Sequence, residues 1–256
     1  MERIVGSVDR ASEKTGRALH IFFIHGMWMG PWVWANYTQL ADLEGFEKVT
    51  AMSLSRRRHD ESASIADYHQ QCLQLAIREC RHPVVLVGHS MGGLVAQCIA
   101  VSNSVAGLVL VASAPPAGIP SLRPAVLARL WRWRYLSAIA HRREFLIRRE
   151  DADALLFNRM ERRARAEAFA QFVLESGRAA RDIMLGVPLD ATRVRCPVLV
   201  IGAREDRITP PDMQRSIAER YRADYMEFPG YGHMLILEKG WERVARHIFS
   251  WIAATC

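Results

Sequence analysis

The sequence predicts an α/β fold: a mostly parallel sheet with helices on both faces and an inserted helical lid. Three observations predict it. Short apolar runs of strand length alternate with longer amphipathic stretches. The short runs are continuously apolar, which requires cover on both faces of the sheet. The elements follow one another as β-α-β-α, the order produced when crossover helices connect parallel strands.

Taken in order, ALHIFFIHG (18–26) reads as a buried strand, PWVWANYTQLADL (31–43) as a helix and EKVTAMSL (47–54) as a strand. SIADYHQQCLQLAIREC (64–80) places Ile65, Tyr68, Cys72, Leu75 and Ala76 at helical spacing. PVVLVG (83–88) is a strand and MGGLVAQCIAVS (91–102) a tightly packed helix. VAGLVLVAS (105–113) and CPVLVIGA (196–203) are further strands. DMQRSIAERY (212–221) reads as a helix, ADYMEFPG (223–230) as a strand and WERVARHIFSWIAAT (241–255) as the closing helix. Between 115 and 187 the alternation stops and no strand is expected. That segment opens on a Pro/Gly hinge, APPAGIPSLRP, and continues as two long helical runs, 125–150 and 151–176. The predicted organisation is a core of 18–114 and 188–256, a helical lid of 115–187 and a flexible N-terminal segment of 1–17.

The chain has 256 residues, 50% hydrophobic and 24% charged, so it can build one ordinary globular core. No uncharged apolar run reaches the ~18 residues of a membrane span, and no membrane partner is expected. The N-terminus lacks the apolar stretch of a secretory signal. Five cysteines with no CxxC pairing read as reduced thiols in a cytoplasmic protein, with Cys98 and Cys196 as small core residues. The net charge is +7, and the lid holds 14 arginines against eight acidic residues. Nucleic-acid binding would need a recognisable module as well as charge. There is no zinc-ligand spacing and no RNP-like strand, so no nucleic-acid partner is expected. The expected partner is a small-molecule substrate, and the chain is read as a monomer or homodimer. The lid arginines form a solvated face or meet a substrate carboxylate or phosphate. Arg56, Arg57 and Arg58 read as rim residues.

The stretch PVVLVGHSMGG (83–93) carries the chemistry. A strand meeting a helix without a loop needs a very sharp turn, which strains its middle residue and leaves no room for bulk beside it. Gly88 and Gly92 flank Ser90 accordingly. The hydroxyl is thereby held at the carboxyl edge of the sheet and at a helix N-terminus, where the dipole favours developing negative charge. The blander reading is Ser90 as an N-cap.

This segment resembles the nucleophile elbow of the α/β-hydrolase superfamily, esterase-like branch, and the likeness runs from about Leu19 to Trp251. The resemblance implies a chain order of nucleophile, acid, histidine. A serine needs a base to remove its proton. His141, His233 and His247 follow Ser90, and His233, in the loop FPGYGHMLILE, sits where the family places its catalytic histidine. CPVLVIGAREDRITPP resembles the segment that carries the family's acid, which implicates Asp206, with Glu205 the neighbour most easily mistaken for it. Asp212 reads as an early-helix charge. The oxyanion hole implied is the N–H of Met91 and that of Met27, in FFIHGMWMG. His25 reads as a buried brace for that loop, and His89 as a neighbour of Ser90 in sequence only. Trp28, Trp131, Trp133 and Met234 are candidate substrate-pocket residues, with packing of lid to core as the alternative for the aromatics.

What the resemblance implies is a serine hydrolase acting on an ester, thioester or lactone of a small, largely apolar molecule, with no metal and no organic cofactor. A biosynthetic cyclase or acyl transferase would use the same triad, and a non-catalytic ligand receptor would use the same fold. Hydroxynitrile lyases of this superfamily usually carry lysine after the histidine, where this chain has Met234. Epoxide hydrolases and dehalogenases carry aspartate where this chain has Ser90.

Overall fold

The computed structural model describes residues 19–46, 48–58, 61–74, 80, 82–121 and 133–256. Six strands form one parallel sheet: β1 (His20–Ile24), β2 (Lys48–Ala51), β5 (Val84–His89), β6 (Gly107–Val111), β7 (Val198–Ala203) and β8 (Asp224–Phe228). Their spatial order is β2-β1-β5-β6-β7-β8. Alternate side chains leave opposite faces of a strand, and here both faces are covered. Ile21, Phe23, Val85, Val87, Val109 and Val111 join one core cluster, while Phe22, Ile24, Val84, Leu86, Leu108 and Leu110 join the other. Helices α1 (Ala35–Leu43) and α9 (Trp241–Thr255) cover the first face. Helices α2 (Ile65–Cys72), α3 (Met91–Ser102) and α8 (Pro211–Tyr221) cover the second. Continuous apolar strands follow from this double cover. The edge strands β2 and β8 depart from it, being only partly buried.

From β1 the chain goes to β2 on one side of the sheet and returns to β5 on the other. The strand order therefore reverses between β1 and β5, and sheets of this type bind ligands beyond the carboxyl ends of the strands at such a reversal. Ser90 follows β5 directly, and the loop 25–30 follows β1.

The structure corrects several expectations. The strand expected over 47–54 ends at Ala51. A small antiparallel hairpin, β3 (Arg57–Arg58) and β4 (Glu61–Ser62), occupies the loop after it. Helix α2 is started by a reciprocal capping box between Ser64 and Asp67 and ends at Cys72; Leu75 and Ala76 lie outside the described residues. Between β6 and β7 the described chain holds not long continuous runs but shorter helices: α4 (Trp133–Ala140), α5 (Arg149–Leu155), α6 (Arg162–Ala170) and α7 (Gly177–Leu185). The breaks at 141–148 and 171–176 pair with each other. Phe145 N–H donates to Glu175 O (2.9 Å), and Glu175 N–H to Phe145 O (2.8 Å). Pairing between distant segments overrides local helix preference there. Trp131 and residues 1–17 lie outside the described residues, so the flexible-segment reading falls there too. Among the described residues, no helix is long and apolar enough to cross a membrane, and the five cysteines are free thiols.

Candidate active site

Ser90 sits at the β5–α3 corner with φ 54° and ψ −121°, a conformation that costs about 1–3 kcal/mol and needs surrounding support. Its N–H donates to Val111 O (3.1 Å), and its carbonyl accepts from Gly93 N–H (3.0 Å) and Ala114 N–H (2.9 Å). A Cβ at Gly88 would overlap the Gly92 backbone, and one at Gly92 would overlap the carbonyls of Ile24 and His25. The flanking glycines are therefore steric requirements. Ser90 occupies the N-cap position of α3, yet its side chain makes no capping hydrogen bond. The hydroxyl lies instead 3.0 Å from His233 Nε2.

His233 follows β8, and Asp206 follows β7. His233 Nδ1 is 2.8 Å from Asp206 Oδ2, so Nδ1–H donates to the carboxylate and Nε2 faces the Ser90 hydroxyl as a hydrogen-bond acceptor. Asp206 is buried. Its Oδ1 accepts from Ile208 N–H (2.7 Å) and Thr209 N–H (3.0 Å). Thr209 Oγ1 lies 2.8 Å from Asp206 Oδ2 and 3.0 Å from Ala112 O. Burial pushes the Asp206 carboxyl up, but the His233 imidazole and these N–H groups outweigh it and hold it below the ordinary carboxylate range. Glu205 does not share this role: its N–H donates to Tyr231 O (2.9 Å), and its carbonyl accepts from Asn158 Nδ2 (2.8 Å). His141 is exposed on the surface. His247 packs edge-on against Phe228 (5.8 Å). His89 is a correction. It touches the site directly, its Nε2 donating to His233 O (2.9 Å) and its ring 4.9 Å from the His233 ring. Burial pushes its pKa down to about 3, so it stays neutral.

The loop 25–30 runs against this group: a Cβ on Gly26 would lie 3.0 Å from Ser90 Cβ. His25 braces it. Its Nδ1–H donates to Gly26 O (2.9 Å), and Nε2 accepts from Leu54 N–H (3.4 Å). Burial lowers its pKa to about 4, which keeps the neutral form those two bonds require. Arg56 is a clamp rather than a rim residue: it donates to Leu54 O (3.2 Å) and to Met29 O. Met91 is the first residue of α3, where an N–H has no intrahelical partner. Met27 N–H has no acceptor among the described residues. Trp28 is nearly buried, its ring packed against Phe145 (5.7 Å) and Phe172 (6.5 Å). It thus joins the segment between β6 and β7 to the core. Met234 is wholly buried in the first core cluster. Tyr135 is also buried, its hydroxyl donating to Asp151 Oδ2 (2.7 Å). Trp133 opens α4.

The model of the alpha/beta hydrolase family matches residues 21–247. The chain belongs to the α/β hydrolase family. Solved structures share its fold. One is a methylesterase protein, MES16, from Arabidopsis (TM-score 0.70, 16% identity, covering 92% of this chain and 99% of that one). Another is Paleococcus ferrophilus monoacylglycerol lipase (0.69, 21%, 93% and 95%). A third is MenH from S. aureus (0.69, 15%, 93% and 94%). At such identities the likeness establishes the fold alone. No curated protein matches the chain.

Three groups around the site of this α/β hydrolase escaped the sequence reading. Thr209 carried a weak signal: it lies three residues after an aspartate whose side chain folds back on the turn. Glu238 accepts Gly232 N–H at 2.8 Å, and its buried Oε1, like Asn158 Oδ1, has no partner. Glu175 is wholly buried and accepts from Tyr68 Oη (2.5 Å), Ser176 N–H (2.8 Å) and Trp28 N–H (3.0 Å). It looked like one more charge in a helical run. No group of three or more His, Cys, Asp or Glu among the described residues is placed to hold a metal ion.

Proposed function

We propose that this α/β hydrolase cleaves an ester, thioester or lactone of a small, largely apolar molecule through an acyl-serine intermediate. One observation carries the reading: Asp206, His233 and Ser90 form a continuous relay, with contacts of 2.8 Å and 3.0 Å. Ser90 Oγ attacks the carbonyl carbon while His233 Nε2 takes its proton. Asp206 holds the tautomer and stabilises the imidazolium. The N–H groups of Met27 and Met91 receive the developing oxyanion. The imidazolium then protonates the leaving alcohol or thiol, and a water repeats the sequence to release the acid and restore Ser90. The segment 115–187 acts as a lid over the acyl group. The esterase and lipase named among the structural relatives favour an ester.

Near-complete burial supports a second reading. Ser90 is 9% exposed, Asp206 5% and His233 1%. A site this closed to water suits a cyclase or an acyl transferase that retains the acyl-serine and excludes hydrolysis.

A fluorophosphonate probe tests the shared chemistry. It is expected to label the wild type and to leave Ser90→Ala unlabelled; equal labelling of the alanine variant refutes the assignment. An unlabelled wild type leaves the ligand-receptor reading of the fold. A panel of short and medium acyl esters separates the two enzymes, since a dedicated cyclase or transferase leaves nearly all of them intact.

A further inference from the structure

Glu175 takes no part in the proton relay, yet its carboxylate is buried and accepts three hydrogen bonds. Its side chain is 0% exposed, and its backbone pairs with Phe145. Every group around the carboxylate is a donor. Tyr68 Oη and Ser176 N–H reach Oε1, Trp28 N–H reaches Oε2, and Arg56 Nε lies 3.7 Å from Oε2. Trp28 N–H, Ser176 N–H and Arg56 can only donate, so the position calls for an acceptor-only group.

What these bonds hold is the loop beside Ser90. Trp28 has φ 63°, the left-handed region that costs a non-glycine residue about 1–2 kcal/mol. Its peptide groups are gripped at both ends, the N–H by Glu175 Oε2 (3.0 Å) and the carbonyl by Val173 N–H (2.9 Å). One residue on, Met29 O is held by Arg56, the same guanidinium that faces Glu175. One residue back stands Met27, whose N–H has no acceptor among the described residues. With Trp28 N–H committed to Glu175, the strained turn keeps its form and Met27 N–H stays available.

We propose that Glu175 is a positioning residue for the oxyanion loop: its carboxylate holds the Trp28 peptide and thereby sets the Met27 N–H against the carbonyl under attack at Ser90. The proposal rests on the hydrolase reading and adds to it a residue from outside the core.

The test uses the full chain with a p-nitrophenyl ester and a trifluoromethyl ketone, which adds Ser90 Oγ to its carbonyl and forms an oxyanion. Glu175→Gln is nearly isosteric but turns an amide NH2 toward one pair of donors. It should lower kcat about 10–100-fold, less than the ~10²–10³ for outright loss of a donor. KM should stay within about 3-fold, and ketone affinity should fall in proportion to kcat, because a loss confined to the transition state has that signature. Asp182→Ala removes a different bond between the segment and the core, that from Ile65 N–H to Asp182 Oδ2 (3.0 Å), and should leave kcat unchanged. If Glu175→Gln does not fold, Glu175→Asp carries the test: it withdraws the acceptor by one methylene and should show the same pattern at lower amplitude. Unchanged kcat and ketone affinity in both folded variants, Glu175→Gln and Glu175→Asp, overturn the proposal, as does a rise in KM alone, or an equal loss in Asp182→Ala. In each of those cases wild-type turnover leaves the hydrolase reading standing. A wild type that neither labels nor turns over removes both.

Discussion

At the scale of single residues, the site depends on which oxygen or nitrogen has a partner. Asp206 is fully paired, and its carboxyl is held low despite burial. Glu238, on the same loop as His233, is the opposite case. One oxygen accepts Gly232 N–H and the other is buried alone. Burial, with the Asp206 charge adding to it, pushes its pKa up to about 7 against the opposing effects of the Gly232 N–H, His233 and Arg159. The sign follows from linkage. Between the ordinary value of 4.5 and about 7 the folded chain holds a proton that the unfolded chain has released. The stability this group contributes is complete below the lower value and lost as pH rises through the upper one. Glu238→Gln keeps a carbonyl for Gly232 N–H and turns an amide NH2 toward the side where Asn158 Oδ1 lacks a donor. Urea denaturation should therefore show the variant gaining on the wild type between about pH 4.5 and pH 7, at up to ~1.4 kcal/mol per pH unit, and holding level above that. A pH-independent difference would refute this. The positions of Ser90, Asp206 and His233, brought within hydrogen-bond reach by the fold, were legible because each sits at a recognisable corner after a strand. Glu238 and Glu175 were not, because an acidic residue in an amphipathic stretch looks the same whether it faces water or a buried N–H.

At the scale of elements, the contact between α3 and β1 sets the elbow. Gly92 lies where any Cβ would strike the carbonyls of Ile24 and His25, and backbone atoms in a paired strand do not yield. Gly92→Ala should destabilise the chain by about 1–3 kcal/mol through overpacking and sharply slow fluorophosphonate labelling, because the displaced corner carries Ser90. Wild-type stability and labelling would show that α3 can slide away from β1. Strands and their helices were legible because continuous apolar runs mean double cover. The breaks at 141–148 and 171–176 were not, since they arise from hydrogen bonds between Phe145 and Glu175, thirty residues apart. Arg142, at φ 55°, ends one helix where nothing in its neighbours announces a stop.

At the scale of the molecule, the segment between β6 and β7 is built into the core. Ile147, Leu156, Phe157, Met160 and Phe172 belong to the same buried cluster as Phe23, Val87 and Ile201. Polar bonds reinforce the join: Asn158 Nδ2 donates to Glu205 O (2.8 Å), and Arg159 Nε to Gly230 O (3.1 Å). Segment and core should unfold as one cooperative unit. Far-UV circular dichroism and tryptophan fluorescence are expected to report coincident urea transitions; an earlier fluorescence transition would show the segment opening by itself. Its arginines serve in part as surface charge, Arg149 and Arg163 pairing with Asp153 and Glu167 one turn on, contacts of small energetic weight.

The amino-acid sequence by itself determined the parallel sheet and the sharp corner at Ser90, because periodicity and glycine placement are local properties, while the family resemblance of two later loops pointed to Asp206 and His233, which the fold brings to that corner. The tertiary structure alone decided that His89 leans on His233, that Arg56 clamps the loop at Met29, and that Glu175 reaches across to Trp28. Those contacts join segments tens to more than a hundred residues apart. A buried carboxylate is recognised by the donors around it, and which donors surround it depends on how the whole chain packs.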